Sequence, residues 1–163
     1  MAYKVYESTY HPDCVLAVPT GGIIPAEIIR NELCQLYNDN SIELVDIGCN
    51  QKKNITFNRL LRLLPTTLLN YLRVISLKIK RVVPSSEIKH IRIDIPAKCK
   101  NILIVDDAID TGKTLSEILE GLNDNINYKI AVLTVTLYNP KVVPNYNIFN
   151  NVILRLPWAI DVK

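Results

Sequence analysis

Ile102 to Val105 form an uninterrupted apolar run, and the next nine positions hold three carboxylates, two threonines and one glycine before a helical pattern begins. Such a run suits a strand buried on both faces of a parallel sheet, and Leu115, Ile118, Leu119 and Leu122 recur at helical spacing. The polar turn therefore lies between the carboxyl end of a strand and the amino end of a helix. In open α/β sheets ligands bind at that edge, and free backbone N–H groups together with the helix dipole favour a phosphate there. Thr111 and Thr114 add hydroxyl donors, Gly112 lets the backbone approach closely, and Lys113 adds charge. Asp106, Asp107 and Asp110 would repel a phosphate, so they face something else: ribose hydroxyls, a Mg²⁺ ion or a proton on a substrate nitrogen.

A Walker A loop needs a glycine five residues before Gly112, where Asp107 stands, so that motif fails. A strand-turn-helix in which Asp110 or Thr111 merely caps the helix is the plainer alternative. Capping needs one such residue, and here there are five.

Other segments repeat the strand-helix pattern. Val15 to Val18 is a second buried run, Gly21-Gly22 opens a loop that permits unusual backbone angles, and Pro25 sits in the first turn of a helix through Ile28, Ile29 and Leu33. The patterning predicts strands over 14–18, 42–47, 90–95, 102–106, 129–136 and 152–155. It predicts helices over 24–37 and 114–122 and a helical segment over 57–83. Strands alternating with helices imply an α/β, doubly wound and mainly parallel sheet. The Gly21-Gly22 loop and the 106–114 turn would then meet on one edge.

Val105-Asp-Asp-Ala-Ile-Asp-Thr-Gly-Lys-Thr114 resembles the motif by which type I phosphoribosyltransferases bind 5-phosphoribosyl-1-pyrophosphate (PRPP). Val15-Leu-Ala-Val-Pro-Thr-Gly-Gly-Ile-Ile-Pro-Ala26 is similar to the first strand and pyrophosphate loop of the xanthine-guanine and hypoxanthine branch of that family. Ile130 to Leu137, Tyr138-Asn-Pro140 and Leu156-Pro-Trp158 are similar to its last core strands and base-covering hood. The three segments stand in the family's order and span about two thirds of the chain.

The resemblance implies transfer of a 5-phosphoribosyl group from PRPP to a purine-like base, releasing pyrophosphate, as in purine salvage. It implies that Asp106 and Asp107 hold the ribose hydroxyls and, directly or through water, Mg²⁺. Residues Ala108, Ile109, Asp110, Thr111, Gly112, Lys113 and Thr114 would complete the PRPP site, with Asp110 placed as general base toward the purine N7. Thr20, Gly21 and Gly22 would hold pyrophosphate. A mobile lid would correspond to Cys49 to Asn54, with Lys52 and Lys53, or to the segment after Pro84. A homodimer acting in the cytoplasm is implied as well.

The chain departs from the branch at three places. Thr20 stands where many relatives carry Arg or Lys, Asn139 where a Lys often reads the purine 6-oxo group, and Ile153, with Leu154 beside it, where an aromatic residue usually stacks on the base. Trp158 is read as a packing residue. These departures keep open a second reading, a PRPP- or nucleotide-sensing module with weak or no catalysis.

The segment Lys52 to Val83 lies outside the family core. It carries eight cations and no acid, in a chain of net charge +3, so the rest of the chain is acidic. Pro65 and Pro84 bracket a helix whose apolar face includes Leu68, Ile75, Ile79 and Val82. Only 13 residues precede Cys14, which leaves one sheet face without the helix that relatives place before the first strand. The insert is expected to cover that face, alone or with a self-association surface. Docking of 57–83 on an anionic membrane is the sharper alternative, and nucleic-acid binding is not expected, since aromatics are few in the basic stretch. Charged residues interrupt the helix too often for it to span a bilayer.

At 163 residues and 48% hydrophobic content, one domain over 1–163 is expected, with an insert near 52–84 and a hood near 138–163. No signal sequence is read at the N-terminus. Cys14, Cys34, Cys49 and Cys99 form no CxxC pair and are read as reduced structural thiols. His11 and His90 are read as surface or turn residues.

Overall fold

The structure, a computed structural model, describes residues 1–19, 21–47, 93–154 and 156–158. Thr20, Cys49, Lys52, Lys53, His90, the lid region and the helical segment 57–83 lie outside the described residues. So therefore do the expected roles of the insert in packing, self-association or membrane contact. No helix among the described residues is long and apolar enough to cross a membrane.

Five strands, β1 (Cys14–Ala17), β2 (Glu43–Asp46), β3 (Asn101–Ile109), β4 (Asn127–Val135) and β5 (Tyr146–Asn150), form one sheet in the order β2-β1-β3-β4-β5. Every pairing is parallel. Among the described residues three helices accompany them: α1 (Ala2–Glu7), α2 (Ile23–Tyr37) and α3 (Lys113–Glu120). Parallel strands are covered on both faces, so the inner strands carry apolar residues at consecutive positions. All four residues of β1 are buried. Cys14 and Leu16 join Ile102, Ile104, Leu115, Ile118 and Ile130 on one face, while Val15 and Ala17 join Leu103, Val105, Ile29 and Leu33 on the other. The first core packs under α3 and the second under α1 and α2.

Asp13 sets the register at the amino edge of the sheet. Its carboxylate Oδ2 accepts the backbone N–H groups of Lys100 (2.9 Å) and Asn101 (2.8 Å). Its own N–H donates to Asn101 O at 2.9 Å, and its carbonyl accepts the Glu43 N–H at 3.0 Å. Burial alone would raise this carboxyl, but the Asn101 and Lys100 donors outweigh it and hold it below the ordinary value. Beside it, Cys14, Cys34 and Cys99 are buried and free, as read from the sequence. Burial and then the neighbouring Cys99 push the Cys14 thiol up to about 12, so it is inert at neutral pH. His11 lies at the surface, 3.6 Å from Asp39 and tilted against Tyr37.

Three expectations are corrected. A helix does precede the first strand: α1, only six residues long, buries Ala2 and Val5 in the core beneath α2 and completes the cover of that face. So short a helix has too few positions to show a period, and tertiary packing stabilises it rather than propensity. The last strand is Tyr146–Asn150, and 152–155 is not a strand where it is described. Asn151, at φ 57°, turns the chain out of β5 in the left-handed region. The short, largely exposed β5 has its apolar pair Ile148-Phe149 flanked by asparagines rather than a longer apolar run, and its pairing with β4 creates it. Of the strand expected over 90–95, the described residues 93–95 are irregular chain, with Ile93 and Ile95 packed against the core.

Val5→Ala is expected to cost about 2 kcal/mol, since two buried methyl groups are lost and a cavity remains. Urea denaturation followed by circular dichroism measures it, and an unchanged midpoint would mean that α1 does not pack as described.

Candidate functional site

The site begins with a difference in strand length. β1 ends at Ala17, and its ladder with β3 closes with the Val18 N–H on Val105 O at 2.9 Å. β3 runs four residues further, to Ile109, paired only with β4. Asp106 to Ile109 are thus strand residues, where the sequence placed all but Asp106 in a turn. Chain direction also divides here: after β1 the chain enters α2 on one face, and after β3 it enters α3 on the other. This is the topological switch point, where open α/β sheets receive ligands.

Across that step stands the double-glycine loop. The Gly22 N–H closes it onto Val18 O at 3.0 Å, and the Ala26 N–H donates to Gly22 O at 2.9 Å as α2 begins. The glycines are needed for space rather than for unusual angles, since Gly22 has φ −75° in the helical region. A side chain on Gly22 would strike the Val105 carbonyl and come within 2.7 Å of Val18 O. One on Gly21 would strike the Asp107 carboxylate. The loop after β1 and the acidic end of β3 are therefore in contact, as the sequence required.

Strand alternation sends the two adjacent carboxylates different ways. Asp107 faces Gly21, while Asp106 lines a cavity of about 140 Å³ whose remaining wall is residues 108–115. Asp106 is 9% exposed, and its Oδ1 accepts the Asp107 N–H at 2.8 Å. Burial, and next the Asp107 carboxylate, raise its carboxyl well above the ordinary range, and the Asp107 N–H offsets this only in part.

The turn beyond β3 is tight. Gly112 adopts φ +77°, and a side chain there would also come within 2.8 Å of Val142 N. Here glycine serves both angle and space. Gly112, the N-cap residue of α3, has no side chain to cap it, and the Lys113 N–H donates instead to Thr111 Oγ1 at 3.4 Å. Asp110 turns away to accept a 2.6 Å hydrogen bond from Thr136 Oγ1. Thr111 thus makes a local capping contact while Asp110 does not, and the amino end of α3, whose residues line the cavity, favours an anion there. The Lys141 N–H donates to Thr111 O at 2.9 Å, so the ten-residue crossover from β4 to β5 buttresses the turn from behind.

The cavity wall gathers Asp106 and all of the expected residues from Ala108 to Thr114, with Gly21, Gly22 and Asp107 adjoining. It does not include Asn139, Ile153 or Leu154. Asn139 is exposed, and Ile153 and Leu154 are half-buried in irregular chain after β5. Trp158, half-buried, has an indole N–H with no acceptor among the described residues. Thr136 and Lys141 were not singled out from the sequence. Only the β3–β4 register and the crossover path bring them to the turn.

Gly21 and Gly22 make a contrasting pair. Gly22→Ala is expected to destabilise the fold by about 2 kcal/mol, because its neighbours are backbone atoms, whereas Gly21→Ala meets a side chain that can swing and costs less. Chemical denaturation of both variants measures this, and equal losses would refute the packing. A carboxyl with a raised folded value costs nothing below its unfolded value of about 4 and destabilises increasingly as pH climbs past it. Asp106→Asn, which still accepts the Asp107 N–H, is therefore expected to melt higher than wild type at pH 7, with the gap closing toward pH 4. Thermal melts in metal-free buffer across that range test it, and a variant that melts lower throughout would contradict the charge assignment.

A family model for the phosphoribosyl transferase domain matches residues 1–145. No curated protein matches the chain. Among solved structures it is similar to a purine phosphoribosyltransferase from Pyrococcus horikoshii OT3, with TM-score 0.60 and 26% identity over 97% of this chain and 82% of that one. It also shares its fold with a Helicobacter pylori xanthine-guanine-hypoxanthine phosphoribosyltransferase (TM-score 0.51, 16% identity, 91% and 76% covered). A Bacillus anthracis hypoxanthine-guanine phosphoribosyltransferase gives TM-score 0.51 at 16% identity, with 91% and 71% covered. Because the family model spans 1–145, well over half of the 163 residues, this chain belongs to the phosphoribosyl transferase family.

Proposed function

We propose that the chain transfers the 5-phosphoribosyl group of PRPP to the ring nitrogen of a purine-like base and releases pyrophosphate. The observation that carries this reading is the contact of Gly21 with the Asp107 carboxylate across the step between β1 and β3, beside the cavity of residues 106–115. A ribose with a phosphate at one end and a pyrophosphate at the other needs two anion-binding loops with carboxylates between them. The α3 first turn, with the Thr111 and Thr114 hydroxyls, would take the 5′-phosphate, and the loop of Thr20, Gly21 and Gly22 the pyrophosphate. Asp106 and Asp107 would accept the ribose hydroxyls.

Charge supports Mg²⁺ as the companion of PRPP. Asp106 is buried beside Asp107 at a cost that a bound cation would relieve. No cluster of three or more ligating side chains exists among the described residues, which suits an ion held by one or two carboxylates plus substrate phosphates. Asp106 and Asp107 would help to hold such an ion, and the chemistry it would supply is neutralisation of pyrophosphate charge. As the bond from C1 to pyrophosphate breaks, positive charge builds on the ribose, and the acidic side chains at the end of β3 would face it. Asp110, at the end of β3, would receive the purine N7 proton. Asn139, Ile153 and Leu154 are the residues we assign to the base side. We also assign a homodimer acting in the cytoplasm, a compartment with which the free thiols Cys14, Cys34 and Cys99 are in keeping.

Pyrophosphate release with PRPP, Mg²⁺ and, in turn, guanine, hypoxanthine, xanthine, adenine and orotate is the test, and turnover with a 6-oxopurine is expected. Turnover with orotate alone would overturn the purine assignment. No turnover with any of the five, while PRPP still raises the melting temperature, would overturn catalysis in favour of sensing. Asp110→Asn is expected to lower turnover at least about a hundredfold while PRPP affinity stays within about twofold, and unchanged turnover would remove Asp110 from the base role.

A further inference from the structure

Thr136 follows the last residue of β4, directly across from Asp110 in the continuation of the Ile109–Val135 pairing. Its hydroxyl Oγ1 lies 2.6 Å from Asp110 Oδ1 and 3.2 Å from Ile109 O. A threonine hydroxyl has one proton to donate. Ile109 O already accepts the Thr136 backbone N–H at 2.9 Å, so it does not need the hydroxyl. The proton goes to the charged acceptor at the shorter distance, the stronger of the two bonds.

We propose that Thr136 is a positioning residue for the transfer reaction. It holds Asp110 by one oxygen, so that the carboxylate faces the cavity with its other oxygen toward the base. The inference rests on the reading of Asp110 as the base contact, and Thr136 acts through Asp110 without touching substrate. Three features make the hold firm. The backbone N–H bond to Ile109 fixes where Cα sits, the β-branched side chain leaves few χ1 choices, and both residues are half-buried. Asp110 is the first residue beyond β3, where strand pairing no longer restrains it, and its carboxylate would otherwise be free to turn back and cap α3.

The test compares Thr136→Val, which keeps shape and loses the hydroxyl, with Thr136→Ser, which keeps the hydroxyl, and with Thr136→Ala should the valine variant not fold. Turnover is measured with whichever base of the panel supports it, PRPP affinity by calorimetry in Mg²⁺ buffer, and the Asp110 conformation by crystallography. Thr136→Val is expected to lower kcat about tenfold, and Thr136→Ser to recover it to within about threefold. Added to Asp110→Asn, the valine change should have no further effect on kcat. Wild-type kcat in the valine variant, a serine variant as impaired as the valine one, or a loss that adds fully to that of Asp110→Asn would each overturn the proposal. Should wild type turn over no base at all, the reading of Asp110 as base contact fails separately, and the crystal structures decide on positioning. An Asp110 carboxylate that turns in the valine variant and stays in the serine variant upholds it, and one that stays in both overturns it.

Discussion

The structure depends on β1 being shorter than β3. Two parallel strands of equal length would present one flush edge, with carbonyls and N–H groups paired to the end. Because β1 leaves the sheet after Val18 while β3 continues to Ile109, a ledge one strand wide opens between them. The glycine loop folds down over that ledge, and close approach there permits no side chain at Gly22. Each part of the site is arranged around it: Asp107 toward the loop, Asp106 toward the cavity, Asp110 beyond the strand's end.

Concentrating three carboxylates at one strand end works against the stability of the empty protein. Asp106 shows this most, since its buried carboxyl is pushed up by desolvation and by its neighbour. In the proposed reaction, cationic charge on the ribose or a bound cation would favour the ionised form of this carboxyl and offset that cost. The cost is local, and the apolar sheet beneath it, buried on both faces, carries the fold.

What the sequence disclosed and what it withheld have a common physical basis. β1, β3 and α2 were legible because buried parallel strands are apolar without interruption and long helices repeat their period. The meeting of Gly21-Gly22 with the acidic turn followed from topology alone, since both lie at carboxyl ends of parallel strands. Hidden were features created by tertiary contact: α1, too short for a period; β5, short and on the sheet edge; and Thr136, ordinary in sequence and set beside Asp110 only by register. The role of glycine was half legible. Gly112 does take a positive φ, whereas Gly21 and Gly22 are required by crowding, which a sequence does not display.

Asp13 ties the starts of β2 and β3 to the start of β1, although Glu43 and Asn101 are 58 positions apart in the chain. Since both flanking strands are clamped to the same residue, the connection between them does not set their alignment. Loop-closure entropy grows only slowly with length, by roughly 0.6 kcal/mol per doubling. A fold anchored in this way can admit long insertions between its second and third strands while its binding edge stays in place. That makes this connection the natural position at which descendants of one scaffold could acquire new attachments without surrendering their chemistry.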